Sequence, residues 1–144
     1  MKLNNNQVSD AVMKIGELAK RAEVPIDTVR YYERLGLLPA PPRMASGYRL
    51  YVPGDVARLN FIKRAKALGF TLDEIQALLS LSGRRDDDMA AMKAAASETL
   101  AKVEAKLVEL ERMRDGLQAL VTSCPGHGAL EQCPILNALA GDEQ

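Results

Sequence analysis

Two cysteines stand at the ends of the segment CPGHGALEQC, Cys124 and Cys133, with eight residues between them, and the chain's single histidine, His127, lies inside the loop. Thiolates bind soft and borderline metal ions, and a helix N-terminus stabilises negative charge on a sulfur placed there. Gly126 and Gly128 permit a tight loop, and Pro134 opens a short helix, ILNAL, directly after Cys133. These residue types at this spacing point to a metal site with Cys124 and Cys133 as ligands and His127 as a third. Two other chemistries fit the same residues: a pair of buried apolar thiols, or a redox disulfide. In a reducing compartment, cysteines this close suggest metal binding or redox sensing more than a structural cross-link. Met89 and Met92 read as core filler or as soft thioether ligands. The run Asp86 to Asp88 reads first as the solvated start of a helix, where the dipole favours negative charge.

A second constellation is basic. Arg30, Tyr31 and Arg34 fall on one predicted helix, Arg43, Tyr48 and Arg49 in a ribbon after it, and Lys63, Arg64 and Lys66 beyond. Lys and Arg neutralise phosphates and supply sequence-independent affinity, while a helix in the major groove supplies base readout. Any one of these residues alone reads as a solvated surface charge. The set reads as a DNA interface, with contacts from Arg30, Tyr31, Arg34, Arg43, Tyr48 and Arg49. Tyr32 shares the apolar spacing of Val29 and is expected to pack, which turns Tyr31 outward.

The charge distribution supports that division of labour. The 144 residues carry 19 Lys plus Arg against 19 Asp plus Glu, a net charge of zero. Zero would argue against a polyanion partner, but the cancellation is regional. Up to Phe70 there are 12 basic and 6 acidic residues, and from Thr71 onward 7 and 13. The cationic half holds the DNA-contact set; the anionic half holds the cysteine loop, where a positive surface would repel a metal cation. A hydrophobic fraction of 47% excludes a disordered chain. No apolar run approaches the ~18 residues of a membrane span, and the N-terminal residues do not read as a signal peptide. A cytoplasmic protein with no membrane partner is the expectation. One histidine, no nucleophile–base pair and no phosphate-binding Gly loop leave little for an enzyme.

The elements that must position these groups follow from periodicity. KIGELAKRA places Ile15, Leu18 and Ala19 at helical spacing, and IDTVRYYERLGLL does the same with Ile26, Val29, Tyr32 and Leu35. Pro25 fits the first turn of the second helix and Gly36 its stop, so the two form a helix-turn-helix. Pro39, Pro41 and Pro42 forbid a helix next, Ser46-Gly47 signals a turn, and Tyr48 to Tyr51 alternates as a short strand: a wing. Asp55 is expected to cap a helix running to about Leu68. Thr71, with Glu74 three residues on, opens another as a capping box. From Asp86 to about Thr122 the series Ala96, Leu100, Val103, Leu107, Leu110, Leu117 and Val121 steps by fours and threes, missing only at Arg114. Such a heptad stripe on a helix ~50 Å long cannot be buried against a small domain, so self-association is implied, with an antiparallel homodimer favoured.

The segments KIGELAKRAEVPIDTVRYYERLGLL, RMASGYRLY and DVARLNFIKRAKALGFTLDEIQALL resemble the MerR family of transcriptional regulators, from about Met13 to the C-terminus. The long helix and the terminal cysteine loop are similar to the family's metal sensors. The expected fold is mainly α: an N-terminal extension over 1–12, a winged helix-turn-helix DNA-binding head over 13–82, a long antiparallel coiled-coil dimerisation helix over 86–122, and a metal-sensing loop with a short helix over 123–144. The resemblance implies a homodimer on the two half-sites of a double-stranded promoter with an over-long spacer. Metal binding then distorts the DNA and realigns it for RNA polymerase, an indirect partner, making the protein an activator of metal efflux or resistance genes.

Carried over by position, the resemblance assigns helix contacts to Arg30 and Tyr31, wing contacts to Arg49 and Arg43, and metal ligands to Cys124 and Cys133. Sensors of divalent ions in the family add a Cys near the start of the long helix, where Met89 stands here. Its absence, with the CPG and CPI triplets, is similar to the copper, silver and gold sensors. The eight-residue loop resembles the sensors of divalent mercury, lead or cadmium, and His127 is similar to a zinc-sensor feature. Loop length limits geometry more directly than flanking residues do, so a divalent ion (Zn2+, Cd2+, Pb2+ or Hg2+) is favoured, with Cu+ the alternative. The competing readings are a redox- or organic-ligand-responsive regulator of the same fold and, from another class, a thiol-based metal chaperone.

Overall fold

The structure, a computed structural model, describes residues 12–141. The extension expected over 1–12 therefore lies, Val12 apart, outside the described residues. The chain divides into two compact units, one up to Ala96 and one from Ser97.

The first unit is built on four helices: α1 Ile15–Ala22, α2 Ile26–Arg34, α3 Pro53–Ala67 and α4 Leu72–Leu79. Leu18, Ala19 and Ala22 of α1, Val29 and Tyr32 of α2, Leu59 and Ile62 of α3 and Ile75 of α4 share one buried cluster. Full burial of a Leu, Ile or Val side chain contributes ~1.5–3 kcal/mol, and this cluster is what holds the head together. Helix α1 ends at Glu23, whose φ of 56° is left-handed. Val24 then donates to the Ala19 carbonyl at 2.9 Å, closing the turn. Pro25 stands just before α2 and not in its first turn: its carbonyl accepts from Thr28 and Val29, which makes it the capping residue.

The wing is less regular than its alternation predicts. Tyr48 to Tyr51 forms no strand; among the described residues there are two isolated antiparallel bridges, Arg43 with Arg49 and Met13 with Tyr51. Prolines 41 and 42 shorten one arm, and Tyr51 leaves the ribbon to pair with Met13 and bury its ring, so no ladder extends. Asp55 also differs from its expected role. Helix α3 starts two residues earlier, at Pro53, and the Asp55 carboxylate reaches back to accept the Val52 N–H at 2.9 Å. Pro suits a first helical position because its missing N–H has no intrahelical partner there. The Thr71–Glu74 capping box is present as expected, the Thr71 hydroxyl accepting from the Glu74 N–H at 3.2 Å.

Helix α5, Asp88–Ser123, begins two residues later than the acidic run suggests. Asp88 is buried, and one of its carboxylate oxygens accepts from the Ser82 hydroxyl and from the Gly83 and Arg85 N–H groups. In the second unit, Leu100, Val103, Leu107, Leu110, Leu117 and Val121 are all exposed along α5. A 3-10 turn, Leu130–Gln132, and a short helix α6, Pro134–Leu139, complete it. Among the described residues no helix is long and apolar enough to cross a membrane.

Candidate DNA interface and thiol site

Burying Val29 and Tyr32 on one face of α2 sends Arg30, Tyr31 and Arg34 to the other, and all three are exposed. Arg34 lies over the Tyr31 ring, 6.0 Å from its centroid. In the wing, Arg43 and Tyr48 are exposed and Arg49 is half-buried. The two elements border a hollow of about 480 Å³ lined by Lys14, Arg30, Glu33, Arg43, Tyr48 and Arg49 among others. A neighbouring hollow of about 390 Å³ adds Arg34 to the same cations. Five of the six residues read from sequence as DNA contacts, all but Tyr31, thus line one continuous basic recess. Lys14 was not among them; its ammonium sits 4.1 Å above the Tyr48 ring, a cation–π contact that fixes the tyrosine.

Glu33 is the other residue that sequence reasoning passed over. Its side chain is 6% exposed and its carboxylate accepts from Arg49 Nη1 at 3.0 Å and from the Tyr51 hydroxyl. Burial, the hydrogen bond to Glu33 and the Glu33 charge push the Tyr51 phenol up to about 12, with Arg49 opposing. Two basic residues of the N-terminal half are committed to holding the fold. Lys63 donates to the carbonyls of Ala22 at 2.8 Å and Glu23 at 3.4 Å, at the end of α1. Arg58 Nε donates to the Leu37 carbonyl at 2.6 Å. Helix ends leave carbonyls unsatisfied, and a cation at a C-terminus is favoured there.

The cysteine loop forms as its glycines suggest: Gly126 and Gly128 adopt φ of 82° and 108°, which a side chain would resist. The loop borders a hollow of about 340 Å³ whose lining includes Cys124, His127 and Cys133. Both cysteines are free and half-buried. Cys133 precedes α6, and its thiol is held below the usual value chiefly by the Leu136 N–H; burial opposes this, and lesser effects of the Ile135 N–H and the Cys124 side chain add to the lowering. Both cysteines thus line one hollow, and the Cys133 thiol is biased toward thiolate. His127 is exposed, with Nδ1 3.1 Å from the Pro125 carbonyl. Among the described residues no three His, Cys, Asp or Glu side chains cluster closely enough to hold a metal ion. The two sulfur donors that line the loop suit a thiophilic ion.

The sequence matches the model of the MerR HTH family regulatory protein over residues 13–82 and that of MerR, DNA binding, over 56–120. It is 43% identical over 129 residues to the mercuric resistance operon regulatory protein of Bacillus cereus, covering 88% of this chain and 96% of that one. The chain belongs to the MerR family. This MerR-family protein is thus a DNA-binding transcription regulator and not an enzyme. It is also 43% identical over 131 residues to the HTH-type transcriptional regulator ZntR of Escherichia coli, covering 88% of this chain and 91% of that one. Among solved structures it resembles a transcription regulator from Ralstonia metallidurans in complex with lead(II), with a TM-score of 0.77 and 40% identity over 88% of this chain and 98% of that chain. The helix-turn-helix head, the wing and the long helix of the MerR-family fold are all in place, with a ribbon reduced to single bridges.

Proposed function

We propose that this MerR-family protein is a metal-responsive transcription activator that senses a thiophilic ion through Cys124 and Cys133 and acts on promoter DNA as a homodimer. The observation that carries the reading is the glycine-shaped loop, which brings Cys124 and Cys133 to the lining of one hollow directly before α6. Similarity to a mercuric resistance regulator and to a lead(II)-bound regulator supports a divalent ion over Cu+. The eight-residue loop supports it too. Further donors, if the ion takes more than two, come from outside the sulfur pair: His127, solvent, or a second copy, whose Met89 would hold the place of the family's cross-dimer cysteine.

The exposed stripe of α5 supports self-association, since six large apolar side chains left in water are stabilised by a second stripe. The DNA contacts are those bordering the basic recess, Arg30, Arg34, Arg43, Tyr48 and Arg49, with Tyr31 beside them. Phosphate neutralisation there supplies affinity, and the energy of deforming the duplex supplies the switch. RNA polymerase is reached through the promoter.

The test is competitive titration of the dimer with Cu(I), Zn(II), Cd(II), Pb(II) and Hg(II), alongside promoter transcription. Saturable binding of one ion that also switches transcription is expected. Transcription indifferent to every ion overturns the reading. A second reading rests on the same pair: two free thiols lining one hollow could instead form a reversible disulfide, which would make the protein a redox sensor. Mass spectrometry of the native protein with and without reductant separates them, retained metal favouring the first and a Cys124–Cys133 disulfide the second.

A further inference from the structure

Glu33 is a buried carboxylate in the middle of a cationic recess. By charge alone it opposes DNA: it sits among Lys14, Arg30, Arg43 and Arg49, the groups that would meet phosphates. Burying a carboxylate is costly unless charged or hydrogen-bonding partners compensate. Here two do, Arg49 Nη1 at 3.0 Å and the Tyr51 hydroxyl. Both partners belong to the wing, whereas Glu33 belongs to α2.

Beyond the Lys14–Tyr48 contact, the wing has little else to fix it. Its arms are joined by a single bridge between Arg43 and Arg49, and no strand ladder stiffens them. Tyr51 is anchored on its other side by paired backbone bonds with Met13, at 2.7 and 2.9 Å, on the segment that leads into α1. One carboxylate thus joins α2, the wing and the entry to α1. Arg49 Nε is buried without a hydrogen-bond partner. An arginine that leaves one donor unsatisfied is oriented by the carboxylate it faces, not by its own full complement of bonds.

We infer that Glu33 is a positioning residue for DNA binding: through Arg49 and Tyr51 it sets the wing against α2, so that the cations of both elements address the duplex as one rigid surface. The inference rests on the DNA-binding reading above. Its physical basis is preorganisation, since a wing held in its bound geometry loses less freedom on binding.

The sign of one substitution separates this from simple electrostatics. Glu33→Gln keeps size but removes a negative charge from the recess, so charge alone predicts tighter binding. Positioning predicts weaker binding, by about tenfold at fixed salt. The probe is a duplex selected from a random pool by the wild-type protein. Ethylation interference then reads individual phosphates: contacts on the wing side should fade while those of α2 persist, whereas general destabilisation weakens all of them together. In an Arg49→Met, Tyr51→Phe background Glu33→Gln should change affinity less than about twofold, because the carboxylate acts through those two side chains.

Thermal melts confirm folding, and Tyr51→Phe, which keeps the charge pair, serves as the second variant with an expected loss of about threefold. Binding as tight as wild type, or tighter, in both Glu33→Gln and Tyr51→Phe overturns the inference. Failure of the wild-type protein to select any duplex overturns the DNA reading instead.

Discussion

Glu33 and Arg49, sixteen residues apart in sequence, meet at 3.0 Å and tie the wing of this MerR-family head to its second helix. The Tyr51 hydroxyl completes the cluster, and its ring is 1% exposed. The same contact that orders the proposed DNA surface therefore lies inside the fold, and its titration has a consequence for stability.

The Tyr51 phenol is pushed up to about 12 in the folded chain, against 10.0 for an unperturbed tyrosine. A raised folded value stabilises the protein below the unfolded value, and that stability disappears as pH rises through the folded one. Between pH 10 and 12 the unfolded chain ionises Tyr51 while the folded one still holds its proton. Stability should fall across that window by on the order of 2–3 kcal/mol. Tyr51→Phe should flatten this part of the pH profile, measured by urea unfolding at each pH. An equally steep decline in the variant counts against the assignment.

Cys124→Ser and Cys133→Ser should each abolish metal-induced transcription. Neither residue lies in the head, so operator affinity of the metal-free protein should stay within about twofold of wild type. Electrophoretic mobility shifts and a promoter reporter measure the two quantities separately. Full induction in both variants removes the thiol site from the mechanism.

Lys63 offers a different kind of check, because its charge reads from sequence as a phosphate contact while its ammonium caps the end of α1. Lys63→Met should lower stability by about 1–2 kcal/mol through the carbonyls it leaves unpaired. The slope of log affinity against log salt should stay unchanged, whereas loss of a phosphate contact lowers it by about one. A flatter slope without a stability loss would reverse the assignment.

Asp88 should be sensitive for a related reason. Its buried carboxylate accepts from Ser82, Gly83 and Arg85, so Asp88→Ala leaves three donors to find other partners. A loss of about 2 kcal/mol in chemical denaturation is expected. Asp86→Ala, at an exposed position, should change stability by less than about 0.5 kcal/mol.

The stripe of α5 predicts the oligomeric state. Leu107 and Leu110 are 52% and 57% exposed. Leu107→Glu with Leu110→Glu should shift sedimentation from dimer to monomer at micromolar concentration. A wild-type protein that sediments as a monomer at the same concentration contradicts the proposed homodimer.

Much of this molecule is local in sequence and was legible there. The helices of the head follow from apolar spacing, the Thr71 cap from a residue three positions on, and the Cys124–Cys133 loop from its glycines and from the proline that starts α6. Each depends on residues within a turn or a loop of one another, where backbone preference and short-range hydrogen bonds decide the outcome. Alternation, by contrast, overstated the wing, because a ladder needs a straight partner and the prolines and the inward turn of Tyr51 deny it one.

What only tertiary structure decided is which charges are free to act. Composition counts Lys63, Arg58, Glu33 and Arg49 equally, as surface charges of either sign. Packing separates them: Lys63 and Arg58 are held by backbone carbonyls, whereas Arg49, oriented by Glu33, still borders the recess. The reason is that a charge's role depends on what lies within about 3 Å of it, and the nearest group is supplied by a distant part of the chain. The sequence by itself determined a cationic N-terminal half and an anionic C-terminal one; the fold determined which cations are tied to backbone carbonyls and which border the recess.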